Sequence, residues 1–197
     1  IKESDLDSQY QLSTYRIPAN CGVLFIERDI IKEFQPTGCY QRPNFFNESK
    51  LENLLVEADE IWMASIWPEW QIKFLPESIK RLKEINSELV LFGVKSFLIQ
   101  SASDYKNNFG LEAITREFEI SDRHKSSTKK LEAIAKSTNI EFIDPMFVIC
   151  RSHEVCVHSF DGKGIISADG GHLTPYGAKH FGYQLDEYIN SKESLNN

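Results

Sequence analysis

A chain of 197 residues that is 41% hydrophobic is long enough to bury one good core, and a single domain is the expectation. A net charge of −7 and a pI near 5.3, with no block of Lys and Arg, argue against nucleic acid or an anionic membrane as the main partner and leave a neutral or cationic ligand open. No stretch approaches the roughly 18–20 uninterrupted apolar residues of a membrane span. The opening Ile1-Lys2-Glu3-Ser4-Asp5 is no signal peptide, so any export signal or tether is expected outside this chain.

Helical and strand signals alternate along almost the whole chain, which predicts a three-layer αβα sandwich around a mostly parallel sheet. Tyr10 to Pro18 reads as a strand and Phe25 to Phe34 as weakly helical. Leu51, Leu54, Leu55 and Ala58 share one helical face, and Glu60 to Ser65 is a short apolar run of the kind buried in parallel sheets. Pro76 is expected to open a helix carrying Ile79, Leu82 and Ile85, followed by a strand at Leu89 to Gly93. A polar stretch from Ser101 to Lys125 leads to a helix around Leu131, Ile134 and Ala135. Ile140 to Ile149 reads as the last strong strand, with Pro145 ending its ladder pairing. The final helix is expected from Thr174 to Ile189, with Ala178, Phe181, Leu185 and Tyr188 along one side.

Just before that helix stands Asp169-Gly170-Gly171-His172. An Asp oxygen three residues ahead of a His on a tight turn can hold the Nδ1 proton, which fixes the tautomer and leaves Nε2 as a general base. The two glycines permit backbone conformations closed to other residues, Thr174 is a helix cap, and Pro175 suits the first helical position. A solvated His on a surface loop fits the same spacing. In a doubly wound sheet, ligands bind at the carboxyl ends of the strands, so the segments Ala64 to Trp67 and Gly93 to Phe97 matter alongside this turn. The four cysteines fall as two local pairs, Cys21 with Cys39 and Cys150 with Cys156. They fit two short disulfide loops in an oxidising compartment, or equally four buried thiols.

Asp169-x-x-His172-Leu173-Thr174, followed by Gly177-Ala178, resembles the last sequence block of the SGNH (GDSL-type) hydrolase superfamily. The Cys150 and Cys156 pair, Ile143-Asp144-Pro145, and Ala58-Asp59-Glu60-Ile61 leading to Ala64-Ser65 and Trp67 bring it closer to the SGNH domain fused to bacterial membrane acyltransferases that O-acetylate glycans. The resemblance runs from about Tyr10 to Ile189. It implies a serine esterase or O-acyltransferase acting on an acylated polysaccharide through an acyl-enzyme, with His172 as base and Asp169 orienting it. It also implies oxyanion or substrate roles for Ser65, Gly93 and Ser96, with Ser96 standing where the family has Asn. No metal or organic cofactor is implied. The implied partners are an acylated carbohydrate and a membrane acyltransferase domain in the same or a partner chain, and the implied location is periplasmic or extracytoplasmic.

The family's first block, Gly-Asp-Ser after an apolar strand, has no full match. Leu6-Asp7-Ser8-Gln9 is partial, which makes Ser8 an atypical candidate nucleophile; the other expectation is that the first strand and nucleophile block precede Ile1. A catalytically degenerate module that binds carbohydrate or assists assembly is the alternative function. Trp67 and Trp70 offer a sugar-stacking platform or ordinary packing beneath a loop. His153 and His158 flank Cys156 without a common zinc spacing and read as exposed histidines on a disulfide loop. His124 lies in the basic patch from Arg123 to Lys130 and reads as part of a solvated helix approach, His180 reads as structural, and Lys95 reads as a solvated loop residue or as a positive charge near an oxyanion.

Overall fold

The computed structural model describes residues 11, 13, 14, 17, 24–26, 32–34, 49–86, 88–97 and 117–196. Ser8, Cys21, Cys39 and most of the Tyr10 to Pro18 segment lie outside them. The described elements are α1 (Ser49–Glu57), β1 (Ile61–Met63), α2 (Glu69–Lys83), β2 (Leu89–Phe92), β3 (Glu117–Glu119), α3 (Asp122–Thr138), β4 (Glu141–Ile143), α4 (Pro145–Cys150), β5 (Val155–Val157) and α5 (Pro175–Asn196), with one 3₁₀ turn at Lys32–Phe34. The fold is α/β, with a parallel three-stranded sheet flanked by helices, and the chain divides into two compact units.

The first unit holds the described residues of 13–94 and 126–143. Its sheet has the order β1-β2-β4, all parallel, with Met63 opposite Leu91 and Leu91 opposite Phe142. All four residues of β2 are buried, as a central parallel strand requires when both faces are covered. Met63, Leu89 and Leu91 pack with Ile72, Leu75, Ile79 and Leu82 of α2 and with Leu131 and Ala135 of α3. On the other face, the Trp62 and Phe92 rings meet at 5.2 Å between centroids. The Lys83 ammonium donates to the carbonyls of Thr138 and Asn139 at 3.1 and 3.2 Å, satisfying acceptors that the end of α3 leaves over.

Two expectations fail in this unit. Pro76 lies inside α2 rather than opening it; the helix starts seven residues earlier, after Pro68 in an extended conformation. Ile72, Leu75, Ile79 and Leu82 form one buried stripe that continues through the proline. Burying four such side chains gains roughly 1.5–3 kcal/mol each, which outweighs the ~3 kcal/mol that an interior proline costs. The helix expected around Leu131 begins already at Asp122: the polar residues before Leu131 are helical, and among them His124, expected to be solvated, and Thr128 turn inward and are buried.

The second unit holds the described residues of 1–12, 95–125 and 144–197. β3 and β5 pair antiparallel with Phe118 opposite Cys156, and these two side chains join Phe97, Ile120, Met146, Ile149 and Ile166 in its core. Neither strand is among the elements expected from the sequence. The strand expected from Ile140 to Ile149 stops at Ile143, and Met146 to Ile149 belong to α4. Asp144 caps that helix by accepting from the Met146 N–H at 2.9 Å, with Pro145 in the first turn, so a strong start signal overrides an apolar run that fits strand or helix alike. α4 packs on α5, and Arg151 at its end bonds Gln184 and Glu187.

Thr174 caps α5 as expected, accepting from the Gly177 N–H at 3.0 Å. The helix runs on to Asn196, and its inner side is Gly177, Phe181 and Leu185, with Ala178 exposed instead. Cys150 and Cys156 form a disulfide. Titration of the unfolded, unreduced chain is therefore expected to find at most two thiols, the four cysteines less this pair; four would refute the bond. Closing so short a loop contributes about 2 kcal/mol, so reduction is expected to lower Tm measurably.

Candidate active site

The Asp169 to His172 turn lies in the second unit and is built from its backbone outward. Gly170 has φ 81, the left-handed region that glycine enters without penalty. Gly171 has no such need: a Cβ there stands 3.8 Å from Asp169 Oδ1, an ordinary contact. With the chain so folded, Asp169 Oδ1 accepts from the backbone N–H of Gly171 at 2.9 Å and of His172 at 2.7 Å. The other oxygen, Oδ2, lies 2.7 Å from His172 Nδ1. The His172 N–H and imidazole and then the Gly171 N–H hold the Asp169 carboxyl well below the usual carboxylate range, so it is an anion wherever a histidine titrates. The His172 side chain is 86% exposed, so its reactive edge is open to a ligand.

Three contacts hold the turn from behind. Ser167 is fully buried; its hydroxyl donates to the His172 carbonyl at 2.7 Å and accepts from the Gly170 N–H at 3.0 Å. Phe97 N–H donates to the Gly170 carbonyl at 2.9 Å, and the Lys95 ammonium donates to that of Gly171. Lys95 is thus no solvated loop residue: it is half-buried, burial pushes its pKa down, and the Asp169 charge opposes that shift. Ser96 sits between these two anchors. The Ser-x-x-Gly spacing of Ser167 and Gly170 was a readable turn signal, whereas the Lys95 contact spans 76 residues and has none. Ser167→Ala removes one partner from each of two main-chain groups, and is expected to cost about 1–3 kcal/mol in chemical denaturation. An unchanged midpoint would show that water replaces the hydroxyl.

The chain's match to the SGNH domain that occurs fused to AT3 domains spans residues 57–187, well over half of its length. The chain belongs to the SGNH domain family. No curated protein matches it closely enough to count as a relative. Among solved structures, this SGNH domain is similar to a lipopolysaccharide acetyltransferase periplasmic domain of Salmonella ser. Paratyphi A, with a TM-score of 0.56 and 18% identity. The alignment covers 78% of this chain and 64% of that one, so the chain spans less than two thirds of its neighbour. At that identity the likeness is one of fold. Among the described residues, no helix is long and apolar enough to cross a membrane.

In the first unit, Ser65 and Gly93 follow the paired ends of β1 and β2. The Ser65 hydroxyl donates to the buried Gln71 side chain at 3.1 Å. The Gly93 N–H is spent on the Ile143 carbonyl at 2.8 Å, extending the sheet, so this amide is no oxyanion donor. Trp67 does not offer a stacking face either. It is 2% exposed and its indole N–H donates to the Phe92 carbonyl at 2.7 Å, while Trp70 stacks on Phe34. Indole needs a partner for its one donor when buried, and a strand-end carbonyl supplies it.

Of the two histidines expected to be exposed around Cys156, His153 is, stacking on Phe147, but His158 is buried against Phe118. The disulfide takes both neighbouring thiols, and among the described residues no cluster of three metal-ligating side chains occurs.

Proposed function

We propose that this SGNH domain is a serine esterase or O-acyltransferase acting on an acylated, O-acetylated polysaccharide, with His172 as general base and Asp169 as its orienting acid. The 2.7 Å contact between Asp169 Oδ2 and His172 Nδ1, beside an exposed ring, is the observation that carries this reading. A serine hydroxyl attacks the acyl carbonyl, its proton passes to His172 Nε2, and a tetrahedral oxyanion forms. Collapse breaks the acyl C–O bond, and the leaving alcohol takes the proton from Nε2. Water or a glycan hydroxyl then repeats the sequence on the acyl-enzyme and regenerates the serine. Asp169 stays ionised throughout and stabilises the imidazolium.

Ser8 is this chain's candidate nucleophile, and a serine preceding the present sequence is the other source. Ser96, held between the two anchors of the turn, is the proposed hydroxyl donor to the oxyanion. Family membership supports an AT3 membrane domain as partner, in the same or a second chain, and an extracytoplasmic location. Fluorophosphonate labelling of the full-length protein tests the reading. A serine adduct that is lost in His172→Ala is expected; no adduct, or one indifferent to His172→Ala, would sink it.

A further inference from the structure

The segment from Ser159 to Gly164 folds against the first turns of α5. Ile166 N–H donates to the His158 carbonyl at 2.9 Å, and Thr174 N–H donates to the Ile166 carbonyl at 2.9 Å. Gly164 passes under the Tyr176 ring so closely that a Cβ there would come within 2.6 Å of it. On this support stands Phe160, one of the few large apolar side chains left exposed among the described residues, at 40%. One side of its ring is taken by the His180 imidazole, with centroids 4.0 Å apart and planes 23° from parallel. Tyr176 and His180 are one helical turn apart and share a face of α5.

The residue after Phe160 carries a fixed carboxylate. Asp161 Oδ1 accepts from the Tyr176 hydroxyl at 2.8 Å and from the Lys163 N–H at 2.9 Å. Those two hydrogen bonds, the backbone one first, hold its carboxyl below the ordinary range while the side chain stays in solvent. An aromatic ring held from one side beside an oriented acceptor suits a ligand with an apolar C–H face and hydroxyls at its edge. Phosphate and carboxylate ligands are repelled by Asp161. Tyr176 is four residues from His172, which bounds their Cα separation at roughly 14 Å.

We propose that Phe160, Asp161 and Tyr176 form a sugar subsite, in which a pyranose of the glycan stacks on Phe160 and donates a hydroxyl to Asp161. The subsite deepens the glycan-acting reading above and rests on it for its role, but its binding is measurable without catalysis. Saturation-transfer NMR on the full-length protein, with methyl α-D-glucopyranoside, methyl α-D-galactopyranoside and methyl α-L-rhamnopyranoside as probes and cyclohexanol as the hydroxyl-poor control, tests it.

At least one glycoside is expected to receive saturation on its ring protons. Phe160→Ala and Asp161→Asn are each expected to weaken its binding about tenfold, while Phe160→Tyr retains it. No glycoside signal, signals unchanged in Phe160→Ala and Asp161→Asn, or cyclohexanol bound as well as the sugars, would each overturn the subsite. Labelling lost in His172→Ala with no glycoside bound would remove the subsite alone. Glycoside binding without labelling would keep the subsite and remove the catalytic reading.

Discussion

Asp169→Asn is expected to slow acylation about 10⁴-fold, the scale seen when the acid of such a triad loses its charge but keeps its shape. The hydrogen bonds of the turn dictate why. Oδ1 accepts two backbone N–H groups and Oδ2 faces Nδ1, so an Asn amide keeps its oxygen at the backbone position and turns its NH2 toward the ring. That NH2 donates to Nδ1 and drives the imidazole proton onto Nε2, the atom that must accept the serine proton. Reaction rates with a fluorophosphonate or an activated acetyl ester measure the effect, and ring 15N shifts report the tautomer. A rate within tenfold of wild type would show that Asp169 does not orient the base.

The pH dependence has a definite sign. Asp169 has a folded pKa below its unfolded value, so its contribution to stability is fully present above the unfolded pKa, near 4, and fades as pH falls through the folded one. The stability gap between wild type and Asp169→Asn is therefore expected to shrink on acidification below pH ~4.

Gly177→Ala is expected to be the most damaging single-methyl change in the second unit. A Cβ at Gly177 falls 2.1 Å from the Ile166 carbonyl oxygen and 2.8 Å from its carbon, and both are backbone atoms that no rotamer change can move aside. The Ile166 carbonyl also accepts the Thr174 N–H, so relieving the clash breaks the bond that seats the start of α5 beside His172. In a helix interior Ala is favoured over Gly by up to ~1 kcal/mol, but overpacking costs about 1–3 kcal/mol or more, and here it acts on main chain. A net loss near 2–3 kcal/mol lowers Tm by roughly 4–12 °C in a chain of this size. A calorimetric Tm equal to wild type would mean that the helix sits farther from Ile166.

The local chemistry around the site was legible where a residue acts on its near neighbours. Thr174 and Pro175 announce a helix start because a cap and an orphan-free first position are local requirements. Asp169 and His172 meet because three residues and a glycine at positive φ suffice to bring them together. β2 could be read from Leu89 to Phe92 because a strand covered on both faces has no polar alternation to confuse it. Pro76 misled because its local preference for a helix start lost to a stripe of apolar residues that only packing rewards. The run Met146 to Ile149 misled for the converse reason, since the Asp144-Pro145 cap decided between two periodicities that four apolar residues cannot distinguish.

The sequence alone thus determined the α/β class and pointed to the family, to the acid and imidazole of the turn and, as one of two readings, to the pairing of Cys150 with Cys156, since each depends on spacing within a few residues or on a pattern of strands. Only the tertiary structure decided the long-range contacts within each unit. It buried Trp67 and spent the Gly93 amide on Ile143 in the first unit, and in the second it drew Lys95 onto the Gly171 carbonyl, stacked Phe160 on His180 and bonded Tyr176 to Asp161. These outcomes depend on which distant groups compete for a buried donor or a covered face, and that competition is settled by packing rather than by order along the chain.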